Sequence, residues 1–257
     1  MCCPSPLCPS LPCHVVPFLL RPPYLSTELT PASAPRQPGA RGSLLLLRPS
    51  TPGDPLPVAL AAVRRRFPAL PVILWVEPGA PAALHLAGCA AHLQVRGVVS
   101  ELTQPALRRA LTRPVGFAGS VVAWLGMQGM RLPPRAARLV EAILDLAPEH
   151  PHPGPLLRAA GAPGLAARRY LVKHALPAPR EWFRLARALH AVLRLQAEPA
   201  RPLLQLAAEL GYADPASLSR QLRQLFGVRP GEVRHALGWE WLLERWCARR
   251  LASVAAR

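Results

Sequence analysis

After residue 42, the apolar positions alternate between short continuous runs and stripes at helical spacing. Residues 44–47, 72–76 and 95–99 are short apolar runs typical of buried strands. Helical stripes separate and follow them, at residues 58–67, 82–93 and 104–111. Strands that alternate with short helices predict a parallel sheet, so we expect an α/β domain in this part of the chain.

From residue 115 onward the strand signals stop and helical spacing continues. The predicted helices cover residues 117–127, 134–146, 154–160, 165–174, 179–196, 202–210, 215–226 and 230–250. The predicted fold class is an α/β N-terminal domain followed by an all-α C-terminal domain. We expect four segments: 1–42, a Pro-rich disordered leader; 43–113, the α/β domain; 114–148, a helical linker; and 149–250, the all-α domain.

The leader offers little chemistry. Its prolines interrupt every apolar patch, and its start lacks the basic residues of a secretory signal, so we expect a protein of the cytoplasm. Cys3, Cys8, Cys13 and His14 could supply metal ligands, but structural zinc sites usually keep two close ligand pairs. We therefore predict no metal and no cofactor. The sequence leaves open whether the leader belongs to the native protein.

Charge favours a polyanionic partner without locating its site. The chain has 31 Lys and Arg residues against 14 Asp and Glu, with a pI near 11.4. Every basic residue except Lys173 is an arginine, a bias that a GC-rich coding sequence produces by itself. Both halves of the chain are basic, so the charge suits nucleic acid or an acidic membrane surface equally well.

The segment from 203 to 226 has the layout of a helix-turn-helix. Apolar residues line one face of 203–210, and Gly211 provides the left-handed position that a tight turn needs. Asp214 can cap the next helix, and Pro215 suits its first turn. Leucines at 218, 222 and 225 form an inner face in that helix and leave a polar outer face. A solvated helical hairpin has the same pattern, so these residues alone do not decide the function.

Family resemblance sharpens the prediction. Residues 206–234, LAAELGYADPASLSRQLRQLFGVRPGEVR, resemble the second helix-turn-helix of AraC-type transcription regulators. The matching features are the Gly-Tyr turn, the Ser-Arg pair, the Phe-Gly stop, and a Pro that leads to Arg234. Leu218, Leu222 and Val233 depart from the family's usual aromatic residues, and these are conservative core changes.

The resemblance implies two units on one connecting helix. Residues 154–176 are similar, more weakly, to the family's first unit, 179–196 to the connector, and 202–235 to the second unit. The implied function is sequence-specific regulation of transcription, with two recognition helices in successive major grooves of double-stranded DNA. The implied DNA-binding residues are Arg168, Arg169, Lys173, Ala216, Ser217, Ser219, Arg220, Gln221, Arg223 and Gln224.

Among these, Arg220 and either Arg168 or Arg169 are the best candidates for contacts with base edges, and phosphate contacts or structural ion pairs are the alternatives. We expect RNA polymerase as a further partner, and a homodimer formed through the N-terminal domain. Trp239, Trp241 and Trp246 are predicted to pack beneath the second unit.

The α/β segment is similar to the later part of a response-regulator receiver, but it lacks receiver chemistry. Arg48 stands where the phosphoacceptor Asp belongs, and Ser100 or Glu101 replaces the expected Lys. The leader has no acidic pair to hold Mg²⁺, because Glu28 is its only acidic residue, so phosphoryl transfer would lack its metal. We therefore predict a degenerate receiver-like domain that cannot be phosphorylated.

Two other function classes are an enzyme and a basic scaffolding or membrane-surface protein. His85, His92, His150 and His152 are acid-base candidates, but no nucleophile or carboxylate recurs at the spacing of a catalytic triad, so we predict no enzyme. The alternative to a regulator is a basic scaffolding or membrane-surface protein whose helical domain does not recognise base sequence. The operator, the direction of regulation and the signal are not readable from the sequence.

Overall fold

The computed structural model describes residues 13–14, 45–47, 71–76, 95–101, 103–114, 116–235 and 238–255. The chain divides into two compact units. The N-terminal unit takes its residues from 1–116 and 236–241, and the C-terminal unit from 117–235 and 242–257.

The N-terminal unit holds a four-stranded sheet in the order β1-β2-β3-β4. Its described elements are β1 (Cys13–His14), β2 (Leu45–Leu47), β3 (Val72–Trp75), β4 (Gly97–Val99) and helix α1 (Gln104–Thr112). Strands β2, β3 and β4 are parallel, with Leu46 opposite Ile73 and Ile73 opposite Gly97. The predicted parallel sheet is therefore present. The predicted helices at 58–67 and 82–93 lie outside the described residues. The resemblance to a receiver stays a prediction.

Strand β1 differs from the prediction for the leader. Cys13 and His14 pair antiparallel with Leu47 and Leu46 of β2, although the segment 1–42 was expected to be disordered throughout. Two residues are too short a stretch for a hydrophobic period. The pairing rests on backbone hydrogen bonds to the edge of β2, which a side-chain pattern does not report.

Helix α1 supplies the core of the N-terminal unit. Leu107 and Leu111 are buried against the sheet, where they pack with the strand residues Leu46, Ile73 and Val99. Thr103 caps the helix, since its hydroxyl oxygen accepts from the Ala106 N–H at 3.4 Å.

A buried ion pair attaches a late part of the chain to this unit. Arg96 donates from Nε to Glu240 Oε1 at 2.7 Å and from Nη2 to Oε2 at 2.5 Å. Burial lowers the pKa of Arg96, and the Glu240 carboxylate opposes that shift. The guanidinium also lies 4.2 Å from the centre of the Trp239 ring. Trp239 and Trp241 therefore belong to the N-terminal unit, whereas the sequence predicted that they pack beneath the second helical unit. Arg96, the partner of Trp239, is far away in sequence.

The C-terminal unit is helical in its described part. Its helices are α2 (Phe117–Met127), α3 (Pro134–Leu146), α4 (Pro153–Ala159), α5 (Gly164–Lys173), α6 (Pro179–Ala197), α7 (Leu203–Glu209), α8 (Pro215–Phe226) and α9 (Pro230–Val233), with a 3₁₀ turn at Ala147–Glu149. A last helix, α10 (Glu240–Ala255), enters this unit at Leu242.

Helix α6 is the centre of the C-terminal unit. Most of its nineteen residues are buried, and α3, α4, α5, α8 and α9 all pack against it. Trp182 on α6 lies 5.5 Å, centre to centre, from Trp246 on α10, so Trp246 packs within this unit. The segment 114–148, which the sequence suggested as a linker, contributes α2 and α3 to the same unit.

The predicted single helix 230–250 is broken. Helix α9 ends at Val233 and α10 begins at Glu240. Gly238 lies between them with a φ of +90°, a conformation that no helix continues through. In the described part of the chain, no helix has both the length and the apolar content that a bilayer crossing demands.

Candidate nucleic-acid interface

Two helix pairs in the C-terminal unit turn in the same way. Between α4 and α5, Gly161 has a φ of +65°. Its N–H donates to the Arg158 carbonyl at 3.0 Å, and the Ala162 N–H donates to the Leu157 carbonyl at 2.8 Å. These two bonds form a Schellman motif, which satisfies the carbonyls that the end of α4 leaves open.

The second pair repeats this geometry. Between α7 and α8, Gly211 has a φ of +68°. Its N–H donates to the Ala208 carbonyl at 3.0 Å, and the Tyr212 N–H donates to the Ala207 carbonyl at 2.8 Å. The C-terminal unit therefore contains two helix-turn-helix units with equivalent turns, one from α4 and α5 and one from α7 and α8.

One arginine of α6 bonds to the backbone of both units. Arg187 is buried and donates from Nη1 to the Pro151 carbonyl, just before α4, at 3.4 Å. From Nη2 it donates to the Leu210 carbonyl, at the end of α7. Its guanidinium lies 4.1 Å from the centre of the Tyr212 ring, and burial lowers its pKa. Arg187 thus connects α6 to the backbone just before the first unit and to the turn of the second unit.

Helix α8 begins at a strong cap. The Asp214 carboxylate accepts the Ser217 N–H at 2.5 Å, and this bond holds the pKa of Asp214 below its usual value. Gly227 closes the helix in the left-handed conformation. The inner face is formed by three buried side chains, Leu218, Leu222 and Phe226. The predicted boundaries and cap of this helix are therefore present in the structure.

The outer face of α8 is polar. Its exposed side chains are those of Ala216, Arg220, Arg223 and Gln224. Arg220 donates from Nη2 to the Ser217 hydroxyl at 2.8 Å, a bond within the same face. Arg184 of α6 donates to the Gln224 side chain at 2.6 Å. A face with guanidinium, amide and hydroxyl groups can form hydrogen bonds with base edges and phosphates.

Two of the predicted site residues on α8 are occupied by structural bonds. Gln221 donates from Nε2 to the Arg184 backbone carbonyl at 2.6 Å, and is half-buried. The Ser219 hydroxyl donates to the Pro215 carbonyl of its own helix at 2.9 Å. The sequence did not single out Arg184, because its role depends on residues about forty positions away.

Helix α5 presents a different face. Ala167 and Leu171 are buried, and the predicted residues Arg168, Arg169 and Lys173 are exposed. No side chain caps the start of α5, where Pro163 stands. The helix has no acidic residue, so its exposed charges are all positive.

More positive charge lies beside α5. A cleft of about 280 Å³ is lined by Arg135 and Arg138 of α3 together with the turn before α5. The Arg135 guanidinium lies 4.9 Å from the centre of the Tyr170 ring. This arrangement extends the basic surface beyond the two helix-turn-helix units.

Two further arginines hold the second unit in place. Arg234 donates from Nη2 to the Arg201 carbonyl at 2.8 Å and from Nη1 to the Pro199 carbonyl, so it anchors the loop before α7. Arg245 of α10 donates to the Phe226 carbonyl at 2.8 Å, at the end of α8. The Arg that ends the family-like motif is therefore a scaffold residue.

Comparison with known families agrees with this geometry. Residues 156–236 match a family model described as a helix-turn-helix domain. These residues form an AraC-type helix-turn-helix domain. The match assigns this part of the chain to DNA binding in transcription regulation, in a family that is generally not enzymatic. No curated protein and no solved structure matches the chain. The AraC-type domain includes both equivalent turns, the connector α6 and the anchor Arg234.

Proposed function

We propose that the chain is a sequence-specific transcription regulator that places α5 and α8 in successive major grooves on one face of a DNA duplex. The supporting observation is the repeated turn geometry around a single helix, α6, whose Arg187 bonds to the Pro151 carbonyl just before the first unit and to the Leu210 carbonyl at the turn of the second. Recognition helices in such sites are about 34 Å apart, one turn of DNA.

The exposed residues divide by the contact that they can make. Arg220 on α8 and Arg168 or Arg169 on α5 can grip guanine through two hydrogen bonds. Arg223, Lys173 and the α3 arginines can bind phosphates, which supply most of the affinity and make it depend on salt. Gln221 and Ser219 would position α8 and not contact DNA, because their side chains donate hydrogen bonds to backbone carbonyls.

A footprint of the full chain on selected DNA tests the proposal. Binding sites are recovered from random duplexes and then probed with hydroxyl radicals. We expect two protected segments whose centres are about 10 base pairs apart on one face. A single protected segment, or protection that ignores base sequence, contradicts it.

A basic scaffolding or membrane-surface protein would instead bind any duplex and anionic vesicles equally well, and no observation favours this alternative.

For the N-terminal unit, the role we propose is dimerisation or positioning of the DNA-binding unit. Sedimentation of the full chain tests the dimer.

A further inference from the structure

The outer face of α5 has an apolar centre. Leu165 and Val172 are 62% and 58% exposed, and they are among the few large apolar side chains exposed in the described part of the chain. Seven residues apart, they lie one above the other on the same side of the helix. The inner side is occupied by Ala167 and Leu171, so Leu165 and Val172 point away from the core.

Positive charge borders this apolar centre on both sides. Arg168 and Arg169 follow Leu165 by three and four positions, which places them on either side of the line from Leu165 to Val172. Both are exposed, and neither side chain forms a hydrogen bond or ion pair with another described residue. An apolar strip between two unpaired guanidinium groups is complementary to a groove with anionic walls and apolar groups on its floor.

The major groove of DNA has that composition at thymine. Phosphates line its edges, and each thymine projects a C5-methyl group from the base edge. A protein partner for the strip would need acidic residues around an apolar pocket, whereas DNA meets both requirements with one surface.

We propose that Leu165 and Val172 determine specificity in the first half-site by contacting thymine C5-methyl groups. This inference rests on the proposed function, since it requires α5 to enter the major groove. It assigns different chemistry to the two units, with methyl contacts at the centre of α5 and hydrogen bonds at the centre of α8.

Thymine-to-deoxyuridine replacement tests the inference, because it removes the methyl group and keeps the hydrogen-bonding edge. Each thymine of a selected site is replaced in turn, and the affinity of the full chain is measured. We expect at least one replacement in the half-site bound by α5 to weaken wild-type binding about fourfold, the effect of one buried methyl group.

Variants link that effect to the side chains. Leu165→Ala or Val172→Ala should bind the thymine and deoxyuridine sites equally well, and Leu165→Met, which keeps the apolar contact, should retain the discrimination. Leu204→Ala is the matched control, because Leu204 is 67% exposed on α7, outside both recognition helices, and its variant should keep the full fourfold effect. All three positions are exposed, so the four variants should unfold at the wild-type urea concentration.

The outcomes separate the two proposals. Sequence-selective binding with no deoxyuridine effect, or with the same effect in Leu165→Ala, Val172→Ala and wild type, overturns the methyl contacts and leaves the regulator intact. Binding without any sequence preference overturns the proposed function, and the methyl contacts with it.

Discussion

The two helix-turn-helix units share a turn and differ in how their recognition helices are held. Helix α8 starts at the Asp214 cap, and its outer side chains are engaged with Ser217 and Arg184. Helix α5 starts at Pro163 without a side-chain cap, and its arginines have no described partner. Backbone geometry is thus repeated while side-chain chemistry is not.

The residues that position the two recognition helices are thus different from the residues on their outer faces. Gly161 and Gly211 give both helices the same exit from the turn, and Arg187 connects α6 to the backbone before the first unit and to the turn of the second. The outer faces then differ freely, because the buried leucines and alanines hold each helix without using those positions. A regulator built in this way can recognise two different half-sites with one scaffold.

Removing the shared anchor should have the largest effect. Arg187→Met leaves the Pro151 and Leu210 carbonyls without their charged donor, and each such bond contributes about 1.5–3 kcal/mol. We expect about 3 kcal/mol of lost stability in urea unfolding and a loss of binding to both half-sites. Arg194→Met on the same helix is the control, because its ion pair with Glu209 is exposed and should contribute less than about 1 kcal/mol. Equal losses in the two variants would contradict the anchoring role.

Substitution of either turn glycine should reduce stability less than Arg187→Met does. Gly161→Ala and Gly211→Ala both force a side chain into the left-handed region, at a cost of about 1–2 kcal/mol. A Cβ at Gly161 meets open space, whereas one at Gly211 lies 3.4 Å from Pro151 Cβ. A contact at 3.4 Å is ordinary van der Waals contact, so urea unfolding should show losses of stability that agree within about 1 kcal/mol. A larger difference between the two variants would mean that the two turns are not equivalent.

Substitutions on the outer face of α8 should change recognition more than stability. Arg220→Ala should relax the preference at one base position by about 1–3 kcal/mol. Arg223→Ala, also exposed, should weaken all sites about equally, as expected for a phosphate contact. Binding selections with each variant make the comparison. If Arg220→Ala keeps both affinity and preference, Arg220 does not contact a base.

The smallest effect concerns the cap that only α8 has. Because the folded-state pKa of Asp214 is lowered, its stabilising effect is complete above the ordinary Asp pKa of about 3.9 and is lost as pH falls through the folded value. Asp214→Asn keeps a capping oxygen and removes the titration. When urea unfolding is measured at pH 7 and pH 3, the free energy of unfolding should fall less on acidification in the variant than in wild type. Identical losses would show that this carboxylate does not contribute to the acid sensitivity.

The sequence predicted the elements that depend on local chemistry. Helical spacing and the residues Asp214, Pro215 and Gly211 predicted the second unit nearly to its ends, because caps and turns act over a few positions. The roles of Arg184 and Arg187 were not predicted, since each is defined by backbone groups that are distant in sequence.

The residues after 235 that join the N-terminal unit were also hard to predict, because their partners are distant in sequence. Trp239 and Glu240 belong to that unit because Arg96, 144 positions before Glu240, is buried against them. The break at Gly238 was missed, because Pro230 to Arg250 carries a continuous helical pattern with only isolated glycines. The residues on the outer faces of the recognition helices could be predicted from the sequence. Which of their polar side chains form hydrogen bonds within the protein could not.

If the single helix α6 holds two recognition helices in a fixed register, affinity must depend on the spacing of the two half-sites. Base pairs are inserted one at a time between the two half-sites of a selected operator, and the affinity of the full chain is measured. We expect a sharp maximum of affinity at a single spacing, with a five-base-pair insertion reducing affinity to that of one isolated half-site. Affinity that stays constant across the series would contradict it.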